Sequence, residues 1–427
     1  MKGEHKLNQL RQLILDDMKP ALGVTEPAAI ALACARARAL TAEAVERVLV
    51  RTNSGIYKNA FSCGIPGTSE TGNEYAAALG IVCGNAAKGL CVLEGVTDAD
   101  VEAARKLISD GRVKVEVDSV SSELYIGVTV TTQNDVCTAE IRGSHTNFCL
   151  VKRNSEIIFQ KPYTAGEAHA SPITGYTVRD FWEFASRAPL DELQFMREAY
   201  KLNYELAESA LAWDRCAMTR ALVKENGGEL VSRDVVRTAK TLAGAATEAR
   251  ILGIDKPAMS ITGSGTHGII CTMPLYAVYR VTGLSQETLL RATALSYLIT
   301  MYIKEYSGKL SAFCGCGIAG GTGMACALAY MQGAGFEVIE GVLSNMAGSN
   351  VGMICTGGNQ CCVMKVLSSV DTAFTSVCLA MDGACVSSGH GICGSTPEKT
   401  AKHVGLIASP GMVDTERVIL EILQDKQ

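Results

Sequence analysis

Strand-like alternation occupies one stretch of this chain and almost vanishes from the rest. VERVLVRT at 45–52, then RVKVEVDSV, LYIGVTVTT, VCTAEIRG, NFCLVKR and EIIFQK between residues 112 and 161, alternate apolar and polar residues and are broken by turn residues. That is the pattern of an antiparallel sheet with one buried face. The stretch from about Tyr75 to Asp110 reads as two helices between those strands. From about Val178 onward the spacing becomes helical, in RDFWEFASR, LDELQFMREAYKLNYELAESALAW, SRDVVRTAKTLAGAATEARIL, ETLLRATALSYLITMYIKEY and TERVILEILQ. The chain therefore predicts an α+β fold, with a large all-helical domain and a smaller α+β domain whose sheet is mainly antiparallel. The expected division is 1–41 as N-terminal helices packing on the helical domain, 42–162 as the α+β domain, and 175–427 as the helical domain. In the first segment, Thr25-Glu26-Pro27 reads as a helix start, with Thr25 as N-cap.

Composition narrows the function classes. At 427 residues, 48% hydrophobic and 19% charged, the chain can bury a large core. A formal net charge of -5 and no basic stripe argue against a nucleic-acid partner. The first residues, MKGEHKLNQLRQLILDDMK, lack the apolar core of a secretory signal, so the expected compartment is the cytoplasm. There thiols stay reduced, and 17 cysteines do not read as a disulfide framework. Two segments, Leu310 to Phe336 and Gly341 to Met364, carry no charge or histidine. They are rich in small residues or interrupted by Asn and Gln, so they are expected as buried helices and not as membrane spans. Low charge and Gly-rich helices are compatible with a homodimer.

Nine of the cysteines fall between Cys314 and Cys393. Zinc sites use paired C-x(2–4)-C ligands; here the close pairs are Cys314-Gly-Cys316 and the adjacent Cys361-Cys362. The tight cysteine runs of ferredoxins are also absent. Spacing alone leaves open both a metal site and a set of small buried thiols.

The surrounding motifs carry more. SAFCG at 311–315, GMICTGGNQCCVMK at 352–365 and GSGTHG at 263–268 resemble the L-cysteine desulfidase family, which is related to the α-chain of iron–sulfur L-serine dehydratases. GVTEP at 23–27, PGT at 66–68, GNAAKGL at 84–90 and SHTN at 144–147 follow in family order, so the resemblance spans nearly the whole chain. It implies a [4Fe–4S] cluster held by Cys314, Cys355 and Cys362, in an iron–sulfur catalytic domain at 175–427. The implied activity is β-elimination from L-cysteine, L-serine or a related small β-substituted acid. Three thiolates leave one iron open, the logic of a catalytic metal position. Cys361 competes with Cys362, which the family pattern prefers.

A small amino-acid substrate needs its carboxylate and ammonium held. Ser264, Gly265 and Thr266 offer donors at a Gly-rich helix start. His267 and His145 are the acid–base candidates, Asn147 lies beside the second, and Thr25 and Glu26 offer a further helix start and a carboxylate. His5, His169 and His403 read as surface residues. The chain departs from the resembled family at Val24, where desulfidases typically carry cysteine, and at Thr266 and Thr356, where Asn and Asp are common. Val24 raises an alternative: a non-catalytic iron–sulfur or amino-acid-binding, redox-sensing homologue.

Overall fold

The computed structural model describes residues 2–164, 171–308 and 310–426; His169 lies outside them. The strands are β1 (Lys19–Leu22), β2 (Arg47–Asn53), β3 (Val113–Ser119), β4 (Tyr125–Thr131), β5 (Val136–Arg142), β6 (Phe148–Arg153), β7 (Glu156–Gln160) and β8 (Pro257–Ser260). The first helices are α1 (Lys2–Asp17), α2 (Thr25–Arg38), α3 (Ser54–Ala60), α4 (Asn73–Val82) and α5 (Asp98–Ser109). The remainder are α6 (Val178–Arg187), α7 (Arg197–Leu211), α8 (Ala217–Glu225), α9 (Val235–Leu252), α10 (Gly265–Thr282), α11 (Gln286–Ser307), α12 (Gly321–Met331), α13 (Phe336–Asn350), α14 (Cys361–Met381), α15 (Pro397–Leu406) and α16 (Val413–Gln424).

The fold is α+β. Six strands form one sheet in the order β3-β2-β4-β5-β6-β7, antiparallel throughout except for the parallel pair β2–β3. Alternation sets the register: Val48 faces Val130 and Val50 faces Val128, while Ile126, Val128 and Val130 face Ile141, Ala139 and Cys137. All these side chains are buried on one face, so a one-residue slip would expose the whole set. The core on that face includes α2 and α4, which approach closely: a Cβ at Gly80 would lie 2.5 Å from the Ala31 carbonyl oxygen.

A second, larger core is helical and holds most of α6 to α15. Of the uncharged stretches expected as buried helices, the first holds α12, which is buried along nearly its whole length, while the second runs from the later part of α13 through a non-helical segment at 351–360 into the start of α14. Among the described residues one helix, α14, is long and apolar enough to cross a membrane by length and composition. It nevertheless bears Lys365 and Asp371, the latter paired with Lys240 at 3.0 Å.

The N-terminal helices divide between the two cores, which corrects their joint assignment to the helical domain. Leu10 and Ile14 of α1 belong to the larger core, whereas α2 contributes Ala29 to Ala35 and Ala37 to the smaller one. The physical reason is that α2 is a run of small apolar side chains that fits between the sheet and α4. Between α1 and α2 the chain forms β1, which pairs antiparallel with β8 from Lys19↔Ser260 to Leu22↔Pro257 and ties this crossover to the helical body.

Two carboxylates anchor elements near the junction. Glu248 on α9 accepts from the Met218 and Thr219 amides at 3.1 and 2.7 Å, satisfying the start of α8. Glu416 on α16 accepts from Lys58 on α3 at 2.6 Å, and Lys58 also donates to the Ser311 carbonyl at 2.9 Å.

Candidate functional site

A cavity of about 450 Å³ lies between the two cores. Its walls come from α1, the start of α2, the end of α3, the β5–β6 turn, the end of α9, the β8–α10 turn, the end of α11, and the segments around 310–316 and 355–365.

Backbone pairing brings the distant cysteines together. The Cys314 amide donates to the Met353 carbonyl at 3.1 Å, and the Cys355 amide to the Ala312 carbonyl at 2.6 Å. These bonds join two short extended segments, so Cys314 and Cys355 both line the cavity despite the 41-residue separation of their numbers. Cys362, in the first turn of α14, lines the same wall, whereas Cys361 is exposed and does not. The loop between them docks on α3 through a bond from the Gly358 amide to the Asn59 carbonyl. Cys316 is also on the cavity wall, its sulfur 3.4 Å from that of Cys314. A hydrogen bond from Cys316, helped by the nearby Lys365 and Lys304 cations, lowers the Cys314 thiol pKa, while that same hydrogen bond and burial push Cys316 up.

The thiols suit a cluster better than a lone ion. Among the described residues no three or more His, Cys, Asp or Glu side chains converge to hold a single metal ion. A cluster does not require that, because it spreads its thiolates over different irons. Here the donors are sulfur, Cys314, Cys355 and Cys362 reach one cavity together with Cys316, and the buried Lys304 and half-buried Lys365 offset the negative charge such a group carries.

His267 follows a turn in which Thr262 takes a left-handed backbone conformation, φ +54°. The Thr262 hydroxyl donates to the Ile261 carbonyl at 2.7 Å and hydrogen-bonds His267 Nδ1. With that hydroxyl hydrogen committed, Nδ1 is the donor and the free lone pair sits on Nε2. Nε2 is turned to Gly315, where a Cβ would lie 2.5 Å from it. Burial, then the charges of Lys304 and Arg250, push the His267 pKa down to about 3, so the ring is neutral at physiological pH.

Glu26 lies opposite. Burial alone would raise its pKa; His145, Asn59 and Arg250 outweigh that and bring it to about 2. Its oxygens accept from Thr25 at 3.0 Å and Asn59 at 2.9 Å, with His145 Nε2 at 3.7 Å. The folded value is below the unfolded one, so ionised Glu26 contributes stability above about pH 4.5 that is lost as pH falls towards 2. That contribution is about 3 kcal/mol. Glu26→Gln is expected to flatten the acid limb of stability between those pH values, as read by urea unfolding; an unchanged limb would show that other carboxylates set it.

Ser264, Thr266, His267, His145 and Glu26 thus share the cavity with Cys314, Cys355 and Cys362. Three sequence-expected residues do not reach it. Asn147 turns into its own hairpin, donating to the Arg142 carbonyl at 2.9 Å and accepting from Lys161. Thr25 is not the cap, because α2 starts at Thr25 with Val24 preceding it, and its hydroxyl is committed to Glu26. Gly265 packs against Arg250, whose Nε would lie 2.4 Å from a Cβ there. Conversely, Arg250, Lys304, Lys365 and Asn59 line the cavity without having been singled out. A lone basic residue in a helical pattern carries no sequence signal that separates it from a solvated face.

The profile of the serine dehydratase alpha chain matches residues 87–421. A UPF0597 protein of Clostridium botulinum (strain Okra / Type B1) is 38% identical over 427 residues, covering 97% of this chain and 98% of its own. A UPF0597 protein of Bacteroides fragilis is 35% identical, covering 99% of both, and one of Oleidesulfovibrio alaskensis is 36% identical, covering 97% of both.

Proposed function

We propose, from the premise that this chain belongs to the serine dehydratase alpha-chain family, that it is a lyase eliminating the β-substituent of a small amino acid, L-cysteine first and L-serine or a related acid second. The observation that carries this reading is the sharing of one cavity by the thiols of Cys314, Cys355 and Cys362, a neutral buried imidazole and an ionised carboxylate. Cys314, Cys355 and Cys362 would hold a [4Fe–4S] cluster, whose chemistry when bound is that of a Lewis acid towards the leaving thiolate or hydroxyl.

The chain's own groups account for the rest. Glu26, ionised and fixed by Asn59 and Thr25, presents negative charge to the substrate ammonium. Ser264 and Thr266 border the space at the N-terminus of α10, where unpaired amides favour an anion. His267 holds a lone pair at Nε2 and is the group placed to take the α-proton. Loss of that proton and of the β-substituent leaves 2-aminoacrylate, which tautomerises and hydrolyses to pyruvate and ammonia. From cysteine the third product is sulfide. Anaerobic reconstitution with iron and sulfide, followed by cysteine, serine and their β-substituted analogues, tests the reading. A cluster-loaded protein that forms no 2-oxo acid from any of them overturns it.

Gly315→Ala would drive a methyl group into His267 Nε2. It is expected to lower turnover about 100-fold, as a displacement near 1 Å does, with iron content unchanged. Equal turnover in the variant would remove His267 from the reaction.

A second reading, a binding or sensing homologue without turnover, rests on Val24. Val24 lines the cavity, and its Cγ1 would lie 3.2 Å from a Cβ at Gly358. A valine offers neither proton nor ligand at that place. On this reading Val24→Cys creates sulfide release in a protein that has none; on the first it changes an existing rate.

A further inference from the structure

Arg250 closes α9 and is 3% exposed. It lines the cavity, with Nη1 donating to Thr266 Oγ1 at 2.8 Å. Its Nε is buried and has no hydrogen-bond partner. Among the described residues no carboxylate lies within 4.0 Å of the guanidinium. A buried arginine without an ion pair is costly, because desolvation is not compensated by a partner charge. The planar fork of donors matches a carboxylate. Glu26, a carboxylate on the cavity wall whose charge acts on Arg250, has its oxygens engaged by Thr25 and Asn59. The cavity therefore presents a buried cation from the helical core and a buried anion from the α2 side, facing a space large enough for an amino acid.

We propose that Arg250 is the anchor of the substrate's α-carboxylate, so that the site selects free amino acids over amines, esters and carboxamides of the same side chain. This deepens the lyase reading and rests on it. Thr266 supports the guanidinium by accepting from Nη1, and Gly265 leaves room for Nε where any side chain would collide. Nε is covered at Gly265, so it is the Nη end of the fork that is left for the ligand. Arg250 binds and orients; it takes no part in moving the α-proton.

The test is calorimetric binding of L-alanine and L-alaninamide, neither of which has a β-substituent to lose. Wild type, Arg250→Lys and Arg250→Gln are compared, with iron content and thermal unfolding measured on the same samples. Wild type is expected to prefer L-alanine. Arg250→Gln should lose about 10–100-fold in L-alanine affinity, the range for a hydrogen bond to a charged group, and Arg250→Lys should lose less. L-alaninamide binding should be equally weak in all three. Wild type that binds the two ligands equally overturns the assignment whether or not the variants fold. Equal L-alanine affinity in a folded Arg250→Gln also overturns it, as does loss of iron with ligand affinity retained, which would make Arg250 a counter-charge to the cluster. Wild type that binds neither ligand overturns the amino-acid reading itself.

Discussion

Replacing Lys58 by Met is expected to destabilise the folded chain by about 3–5 kcal/mol, the cost of stranding one member of a buried ion pair. The pair is 1% and 6% exposed on its two sides and closes at 2.6 Å. Glu416 Oε1 already lacks a partner, so loss of Lys58 leaves the carboxylate with nothing to offset its desolvation. The effect should extend beyond α16. Lys58 also holds the Ser311 carbonyl, three residues before Cys314, and its own carbonyl lies 2.4 Å from where a Cβ of Gly357 would sit. Urea unfolding of Lys58→Met, Glu416→Leu and the double variant measures this. The double variant should recover most of the loss, since an apolar pair of similar volume needs no compensation. A single variant within 1 kcal/mol of wild type, on the order of a surface substitution, would show that water reaches the pair.

The second large effect concerns iron. Cys355→Ser and Cys362→Ser are each expected to reduce iron content after anaerobic reconstitution to background, together with the visible absorption of a cluster. Cys361→Ser and Cys378→Ser should leave both at the wild-type level, because those thiols face solvent. The contrast between Cys361 and Cys362 is the sharpest part, since the substituted residues are neighbours in sequence. Equal iron in all four variants would return these cysteines to the role of small core residues. Loss of iron from Cys361→Ser alone would move the ligand by one position.

The elements legible in sequence were those whose burial is one-sided. In β2, β4 and β6 buried residues alternate with more open ones, and alternation reports that directly, whereas β3 buries only Val113 and β5 buries three residues in a row. β1 and β8 escaped because each is four residues long and contains proline, too short for a period to show. The partner of α2 escaped for a different reason. Twelve of its fourteen residues are buried, from Thr25 to Ala35 and at Ala37, so there is no polar face to say which way the helix turns. In the site, the cysteines and His267 stood out through their motifs. Arg250 did not, because its place in the cavity depends on where α9 ends relative to α10, a tertiary fact. Asn147 was misplaced by proximity in sequence to His145, although the β5–β6 turn sends their side chains apart.

The main-chain hydrogen bonds that join residues 312–314 to 353–355 have one more consequence. They are made by main-chain atoms, so holding the sulfur atoms of Cys314 and Cys355 in position does not depend on anything the sulfur atoms themselves bind. In small metal-stapled domains the inorganic part organises the polypeptide, and removing it lets the chain unravel. Here the large helical core and the sheet supply that organisation, so a cluster held by these thiols would be a guest in a finished building. Loss of such a cluster to air and its replacement from fresh iron and sulfide would then be an emptying and refilling, expected to leave the polypeptide folded.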